Sequence, residues 1–195
     1  FTITSVGYSK KIIYRNQSSV NNDIYVTGNL GDSFIGLQVL KNKIKLNKSK
    51  TNYFINKYYM PDIQNNFSKN LLSLATSSMD ISDGLITDLN KLINKQNVSY
   101  KIYEKFIPVS RNLNNLINSK NLKKIDLVSN GDDYQILFTA KPNKARIIKK
   151  LSKSLGVKIS KIGTILSGKN KSLILDQKGR EIAINVDGYI HQFWS

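Results

Sequence analysis

The pattern of hydrophobic and polar residues predicts a strand at residues 24–27 and then a helix behind a glycine-marked turn. Three apolar residues are spaced to share one face of that helix: Phe34, Leu37 and Leu40. A second helix is predicted after Gly84, because apolar residues recur there at helical intervals. These residues are Leu85, Leu89, Leu92 and Ile93. The intervening segment 41–67 is basic, aromatic and rich in turn residues.

In the second half of the chain, the residue pattern predicts further strands joined by helical regions. The predicted strands are residues 98–109, 134–140, 158–166, 171–176 and 181–193. Helices are predicted at 112–128 and 143–156, the latter closed by Gly156, while Gly179 turns the last pair of strands. Strands that alternate with helices and then follow one another predict an α+β domain, with a mixed sheet flanked by helices.

The chain has 195 residues, of which 40% are hydrophobic, and this is typical of one globular domain. No apolar run approaches the roughly 18 residues that a membrane span needs. Cysteine is absent and His191 is the single histidine, so a metal site built from soft ligands is nearly excluded. Nothing near Phe1 resembles a signal peptide, and a cytoplasmic protein is expected.

The formal net charge of +17, from 30 basic and 13 acidic side chains, suggests nucleic-acid binding as one function. Few of the cations are arginine, whose planar group is favoured for reading bases. Lysine, asparagine and isoleucine are interleaved along the whole chain, which indicates a compositional bias with solvated faces. The aromatic residues at 53–59 could stack on bases, but at helical spacing such residues more often belong to a core. Nucleic acid is therefore an alternative partner and not the expected one.

Three acidic residues fall within the stretch SSMDISDGLITDL, residues 77–89. Asp80 and Asp83 bracket Ser82 where a strand is predicted to turn into a helix, and Asp88 follows. Clustered carboxylates favour Mg²⁺, Ca²⁺ or Mn²⁺, and Mg²⁺ takes one or two of them together with phosphate oxygens. The start of a helix also favours an anion. The alternative is that Ser82 or Asp83 only caps the helix.

Three further segments carry weaker signals. Asp132 and Asp133 form an acidic pair in NGDDYQILF, which could equally be an ordinary Asn-Gly turn. The loop TGNLGDS holds Asp32 and Ser33 but matches no phosphate-binding motif, so alone it is weak support for a phosphate site. Near the end of the chain, four residues could cover an aromatic ligand or close the core: Tyr189, His191, Phe193 and Trp194.

Taken in chain order, these motifs resemble the thiamine-monophosphate kinase family, within the aminoimidazole-ribonucleotide-synthetase superfamily. The resemblance is carried by FTITSVGY, RNQSSVNNDIYVTGNLGDSFIGL, SSMDISDGLITDL, SNGDDYQILFT, KIGTI and GYIHQF. It covers essentially all 195 residues, but only the C-terminal part of the family's length. The fold that it implies is the C-terminal domain of the aminoimidazole-ribonucleotide-synthetase-like fold.

The resemblance implies an enzyme that transfers the γ-phosphate of ATP to thiamine monophosphate, giving thiamine diphosphate, with Mg²⁺ as cofactor. Three pairs of residues match positions with a role in the family: Asp80 and Asp83 bind metal, Arg15 and Ser82 bind the nucleotide, and Asp132 and Tyr189 bind the substrate. The family is thought to use direct in-line transfer, in which positioning and charge neutralisation do most of the catalysis. No residue is therefore assigned as a catalytic base.

Some positions depart from the family pattern. The usual GGEDYE reads NGDDYQ here, so Asp132 is one methylene shorter than glutamate and Gln135 replaces a carboxylate. A PxPR stretch is reduced to PDIQ at residues 61–64, which removes an arginine. The change to NGDDYQ is expected to alter the strength of the substrate contact more than its kind.

The resemblance also predicts a domain boundary. Residues 1–8 are expected to be the last strand of an N-terminal ATP-binding domain, and residues 9–195 the C-terminal domain of the kinase. The chain alone is expected to be inactive or nearly so, with an N-terminal half supplied elsewhere; the family's assembly is a homodimer. Two alternatives stay open: another ATP-using member of the superfamily, and a non-catalytic basic nucleic-acid-binding remnant.

Overall fold

The computed structural model describes residues 3, 4, 6–9, 11–169 and 171–183, which form six strands and eight α-helices. The strands are β1 Asp23–Thr27, β2 Ala75–Ile81, β3 Val98–Tyr103, β4 Gln135–Ala140, β5 Ile159–Ser167 and β6 Leu173–Leu175. The helices are α1 Asp32–Leu40, α2 Lys48–Tyr59, α3 Asn65–Ser68, α4 Leu71–Leu74, α5 Leu85–Leu92, α6 Arg111–Lys120, α7 Lys124–Val128 and α8 Ala145–Leu155. Short 3-10 turns lie at Glu104–Phe106 and Pro142–Lys144.

The six strands form one mixed sheet in the order β2-β4-β1-β5-β3-β6. Neighbouring strands are antiparallel except β3 and β6, which are parallel. This arrangement confirms the predicted α+β class with a mixed sheet flanked by helices. On one side of the sheet β1, β2 and β3 end, and β4 and β5 begin. This side is formed by the ends of the strands and not by an edge strand, and we call it the β1 C-terminal edge.

Helices cover both faces of the sheet, because successive side chains of a strand point to opposite faces. On one face, Ile24 and Val26 of β1 belong to the same core cluster as the apolar residues of α5. The four residues predicted to share a face of α5 are all buried: Leu85, Leu89, Leu92 and Ile93. On the other face, the rings of Tyr25 and Phe138 stack with centroids 5.2 Å apart, and Ile148 of α8 packs in the same cluster.

A third core cluster lies among α1, α2 and α6. Ile35 and Gly36 of α1 are buried. The three residues predicted to share one face of α1 are half-buried: Phe34, Leu37 and Leu40; of these, Phe34 packs against the cluster. A Cβ atom at Gly36 would lie 2.2 Å from the carbonyl oxygen of Phe54 in α2. The absent side chain lets α1 approach α2 closely, and this side of the helix therefore faces inward.

The ends of the chain leave two predictions untested. The described residues within 1–8 form no strand, and the proposed domain boundary stays a prediction. At the other end, Gly179 adopts a positive φ of 79° and Glu181 bridges Leu175, as the predicted turn requires. Residues 184–193 of the predicted strand 181–193, which include Tyr189, lie outside the described residues. Within the described ranges, no helix is long and apolar enough to cross a bilayer.

Candidate functional site

Two acidic loops from separate motifs lie side by side at the β1 C-terminal edge. β2 pairs with β4, so that Asp80 lies opposite Ile136 in the register. Beyond the strands the pairing continues, because the backbone N–H of Asp132 donates to the Ser82 carbonyl at 2.9 Å. The backbone N–H of Tyr134 likewise donates to the carbonyl of Ile81 at 2.8 Å. The fold therefore places Asp80, Ser82 and Asp83 next to Asp132.

Two glycines allow this close approach of the loops. A Cβ atom at Gly131 would lie 1.9 Å from the Ser82 carbonyl oxygen, a distance that no side chain can occupy. Gly84 faces the same restriction, with 2.0 Å to the Ser129 carbonyl oxygen, and it also has a positive φ of 111°. The glycines within DISDG and NGDD are therefore explained by backbone contact between the two loops.

Asp88 explains the third carboxylate of the cluster. Its side chain is fully buried and accepts hydrogen bonds from the backbone N–H groups of Ser82 at 2.9 Å and Asp83 at 2.8 Å. Asp88 thus fixes the turn that presents Ser82 and Asp83, instead of facing a ligand. The N-terminal cap of α5 is Gly84, with no side-chain hydrogen bond, so the alternative that Ser82 or Asp83 caps the helix is wrong.

Lys91 supplies the positive charge that this carboxylate cluster needs. Its Nζ bonds to Asp83 Oδ2 and lies 3.1 Å from Asp88 Oδ1. Burial opposes the charged form of Lys91, but the two carboxylates raise its pKa above the ordinary value for lysine. The side chain of Asp80, by contrast, is exposed at the end of β2. Sequence inspection missed Lys91, although its three-residue spacing from Asp88 on a helix is a usable signal.

The electrostatics around Tyr134 show that the carboxylates of both loops act on one small region. Burial, and then the negative charge of Asp83, raise the pKa of Asp132, whereas a hydrogen bond with Tyr134 opposes this shift. The pKa of Tyr134 is raised by burial and then by the charges of Asp132 and Asp80. Asp132 and Tyr134 both adopt positive φ values, 68° and 49°, which are unusual for residues with side chains.

The donor set of this region fits a hard cation. Among the described residues, no group of three or more His, Cys, Asp or Glu side chains is arranged to enclose a metal ion. Asp80 and Asp83 nevertheless offer carboxylate oxygens, and Mg²⁺ binds proteins through one or two such groups while phosphates and water complete its shell. The predicted pair is therefore compatible with Mg²⁺ that arrives with a phosphate ligand.

Asp32 and Asp133 are both buried and have structural roles that the sequence did not reveal. Asp133 is 4% exposed and accepts a hydrogen bond from the backbone N–H of Gly31 at 2.7 Å. Asp32 accepts from the hydroxyls of Tyr53 at 2.9 Å and Ser110 at 2.7 Å. Burial first, and then the nearby charge of Asp32, raise the pKa of Asp133 to about 8 despite the hydrogen bonds that it accepts.

The loop TGNLGDS is therefore turned into the protein instead of toward a phosphate. Asp32 and Ser33 are both buried, and the Ser33 hydroxyl donates to the Lys57 carbonyl at 3.1 Å. Gln135 is also buried, and its side chain connects this region to β1 by accepting from the Thr27 hydroxyl at 2.9 Å. A neutral glutamine at this position avoids a further negative charge beside Asp133.

The remaining two predicted site residues lie apart from the acidic loops or beyond the described chain. Arg15 is exposed, and the adjacent Asn16 donates its backbone N–H to the Leu92 carbonyl at 2.9 Å. This contact places Arg15 near the C-terminal end of α5, because Leu92 is the last residue of that helix and directly follows Lys91. Tyr189 lies outside the described residues. The ligand roles of all six residues stay predictions.

Comparison with known proteins places this arrangement in a family. Residues 19–176 match the family described as AIR synthase related protein, C-terminal domain. The chain belongs to this family. The AIR synthase related match extends from just before β1 to just after β6, and it includes both acidic loops.

Individual relatives and solved structures show which members of the family the chain is similar to. The chain is 34% identical to the thiamine-monophosphate kinase of Buchnera aphidicola subsp. Schizaphis graminum, over 93% of this chain and 56% of that protein. It is 29% identical to the thiamine-monophosphate kinase of Escherichia coli K12, over 86% of this chain and 51% of that protein. A crystal structure of AaThiL complexed with AMPPCP and TMP matches with a TM-score of 0.74 and 24% identity, over 92% of this chain and 54% of that one. This AIR synthase related chain therefore spans about half the length of the relatives that it matches.

Proposed function

We propose that this chain takes part in the ATP-dependent phosphorylation of thiamine monophosphate to thiamine diphosphate. The observation that carries the proposal is the meeting of the DISDG and NGDD loops, which brings Asp80, Ser82 and Asp83 beside Asp132. The relatives named thiamine-monophosphate kinase support the choice of reaction, and AaThiL complexed with AMPPCP and TMP supports the choice of ligands.

In this proposal Asp80 and Asp83 hold Mg²⁺, and Ser82 and Arg15 contact ATP. Mg²⁺ would neutralise the charge on the phosphates and fix their orientation. Asp132 binds the thiamine-bearing substrate, and Tyr189 packs against it. The chain's own contribution is then positioning and charge, since the exposed side chain of Asp80 and the half-buried one of Asp83 flank the start of α5. The positive end of that helix dipole favours a phosphate at the same place.

Asp88 and Lys91 are positioning residues in this proposal. Asp88 holds the backbone of Ser82 and Asp83, which fixes where the Ser82 hydroxyl and the Asp83 carboxylate point. Lys91 neutralises Asp83, and a metal ion that binds Asp83 would have to share or displace this contact. The turn is therefore formed before any ligand arrives, which reduces the entropic cost of binding.

The rest of the proposal concerns the assembly. Because the chain spans 56% of its Buchnera relative, the site is expected to be completed by an N-terminal half, within a homodimer and in the cytoplasm. The 195-residue chain by itself is then expected to bind Mg²⁺-nucleotide through Asp80 and Asp83 but to turn over little or no substrate.

A titration of the chain with ATP, with and without Mg²⁺, tests the metal site. We expect Mg²⁺ to strengthen binding, and the double substitution Asp80→Asn with Asp83→Asn to abolish this Mg²⁺-dependent gain. The double substitution Asp126→Asn with Glu181→Gln removes the same charge elsewhere and should retain the gain. An undiminished Mg²⁺ effect in the Asp80/Asp83 variant would refute the assignment.

A further inference from the structure

A strongly basic cleft lies at the β1 C-terminal edge, on the β5 and β3 side of the sheet. Its volume is about 710 Å³, and it is formed by residues 105–111, the start of β5 and parts of α6 and α7. Five cationic side chains line it: Lys105, Arg111, Lys124, Lys158 and Lys161. None of the described residues that line the cleft is acidic. The cleft is wide and open to solvent, so its charges and not enclosure would have to hold a ligand.

Two of these ammonium groups point at neutral partners instead of carboxylates. Lys124 Nζ donates to the backbone carbonyl of Glu104 at 2.8 Å, and Lys158 Nζ donates to Asn29 Oδ1 at 2.7 Å. Among the described residues, no carboxylate lies within 4.0 Å of either ammonium. Lys161, in contrast, pairs with Asp23 at 2.6 Å. Lys124 and Lys158 therefore bring positive charge to the cleft that no carboxylate of the described residues neutralises by direct contact.

Burial has a measurable consequence for these lysines. It lowers the pKa of Lys158, with the charge of Asp32 acting in the opposite direction. It also lowers the pKa of Lys124, where Glu104 opposes the shift and the charge of Lys158 adds to it. Lys124 is half-buried and Lys158 is exposed. Repulsion between their two ammonium groups is unfavourable in the free protein, and a bound anion would relieve that repulsion.

The start of α6 adds to the positive potential of the cleft. This ten-residue helix begins at Arg111, and its N-cap Ser110 accepts a hydrogen bond from the Leu113 N–H at 3.0 Å. The positive end of the helix dipole thus lies among the cations, where an anion is stabilised. The Asp32 carboxylate accepts a hydrogen bond from the Ser110 hydroxyl, but its side chain is buried and does not line the cleft.

An exposed aromatic ring lies beside the cations. Phe106 is 49% exposed, and Lys105 Nζ lies 4.9 Å from the centroid of its ring. Phe106, Lys105 and Lys161 also line an adjoining cavity of about 640 Å³ that includes Tyr103. Phosphate-binding cations next to a solvent-exposed ring match the two chemical parts of a nucleotide, since the base can stack on the ring.

We propose that this cleft is a second, metal-independent site for a nucleoside diphosphate or triphosphate. Its phosphates would bind Lys124, Lys158 and Arg111, and its base would pack on Phe106. The site differs from the Asp80–Asp83 region in both charge and place. β5 is three strands away from β2 in the sheet, a separation of roughly 14 Å at the usual strand spacing. In this cleft, lysine and arginine side chains would neutralise the phosphate charge, as Mg²⁺ would beside the carboxylates.

Titration of the chain with ADP in the presence of EDTA tests the proposal. We expect saturable binding of one ADP, and at least tenfold weaker binding when Lys124→Met and Lys158→Met are combined. The double variant Lys149→Met with Lys150→Met is the matched control, because it removes equal charge from the exposed basic face of α8. This control should bind ADP as tightly as the unmodified chain does. The variant Arg111→Gln, at a surface-exposed position, should bind ADP more weakly.

Further variants and ligands distinguish this cleft from the acidic loops, from diffuse charge and from a nucleic-acid surface. Asp80→Asn with Asp83→Asn should leave EDTA-resistant binding unchanged, so failure of the proposed kinase function would not affect the result. Phe106→Leu should weaken ADP but not inorganic diphosphate. Equal losses in the Lys149/Lys150 control would assign the binding to net charge and overturn the proposal. A single-stranded oligonucleotide that resists displacement by saturating ADP would also overturn it, in favour of nucleic acid.

Discussion

Asp88 illustrates how one buried carboxylate organises a site that it does not enter. Two backbone N–H groups and Lys91 all bond to it, and its side chain is inaccessible to solvent. Replacement by alanine leaves the backbone N–H groups of Ser82 and Asp83 without this acceptor, while Lys91 keeps its bond to Asp83. A buried donor without a partner is costly, so the free energy of unfolding of Asp88→Ala should fall by about 2–4 kcal/mol.

Urea unfolding of Asp88→Ala beside Asp126→Ala measures this effect. Asp126 belongs to the first turn of α7 and carries the same charge, but it does not bond the DISDG turn. The Asp126 variant should lose far less stability. Equal stability of both variants would show that Asp88 does not hold the turn.

Asp133 gives a prediction about pH. Its pKa in the folded protein is raised to about 8, whereas the ordinary value is 3.8. Between these values the folded state retains a proton that the unfolded state has lost, so stability falls as pH rises through this window. Asp133→Asn cannot ionise and should not share this contribution.

The comparison is made by urea unfolding at several pH values between about 4 and 8. The stability of Asp133→Asn relative to the unmodified chain should increase with pH, by at most about 1.4 kcal/mol for each pH unit. Using the difference between the two proteins cancels the titration of other groups. A difference that is constant across the window would contradict the raised pKa of Asp133.

At the scale of elements, the contact between the DISDG and NGDD loops is the feature on which the site depends. Gly131 has no room for a Cβ atom, because the Ser82 carbonyl oxygen lies 1.9 Å from that position. Gly131→Ala should force the loops apart, weaken the hydrogen bond from Asp132 N–H to Ser82, and cost about 1–3 kcal/mol of stability.

Gly7→Ala is the control for this prediction, since nothing lies within 4 Å of a Cβ atom there and φ is not positive. Thermal unfolding and Mg²⁺-dependent ATP binding should both be impaired in Gly131→Ala and retained in Gly7→Ala. Wild-type stability of Gly131→Ala would mean that the two loops do not touch.

The spacing of apolar residues along the chain was sufficient to predict some helices and strands, but not how they pack. The apolar spacing in α5 identified its buried face, because that helix packs on the sheet through one regular stripe. In α1 the same spacing did not reveal the close approach to α2, which depends on the missing side chain of Gly36. The pattern of apolar residues does not show where the backbones of two helices come into close contact.

The candidate site was predictable to a similar extent. The motifs that resemble a known family brought Asp80, Asp83 and Asp132 to attention, and pairing of β2 with β4 brings them together. The roles of Asp88 and Lys91 depend on how the turn folds back on α5, which sequence spacing alone does not determine. The inward orientation of Asp32 likewise depends on Tyr53 and Ser110, which are distant along the chain.

For the whole molecule, the net charge of +17 is distributed in a way that composition does not reveal. One margin of a single sheet carries acidic loops at β2 and β4 and a basic cleft at β5 and β3. The two proposed sites would bind phosphate in opposite ways, one through a cation and one through lysine and arginine.

The central claim is that the acidic loops hold a divalent cation together with a nucleotide. Paramagnetic broadening of backbone NMR resonances by Mn²⁺, a substitute for Mg²⁺, tests this claim most directly in a chain of 22.1 kDa. In the presence of ATP, trace Mn²⁺ should broaden the amides of residues 80–84 and 131–134 first, and should not do so in Asp80→Asn with Asp83→Asn. Broadening centred elsewhere, or unchanged by that double substitution, would contradict the account.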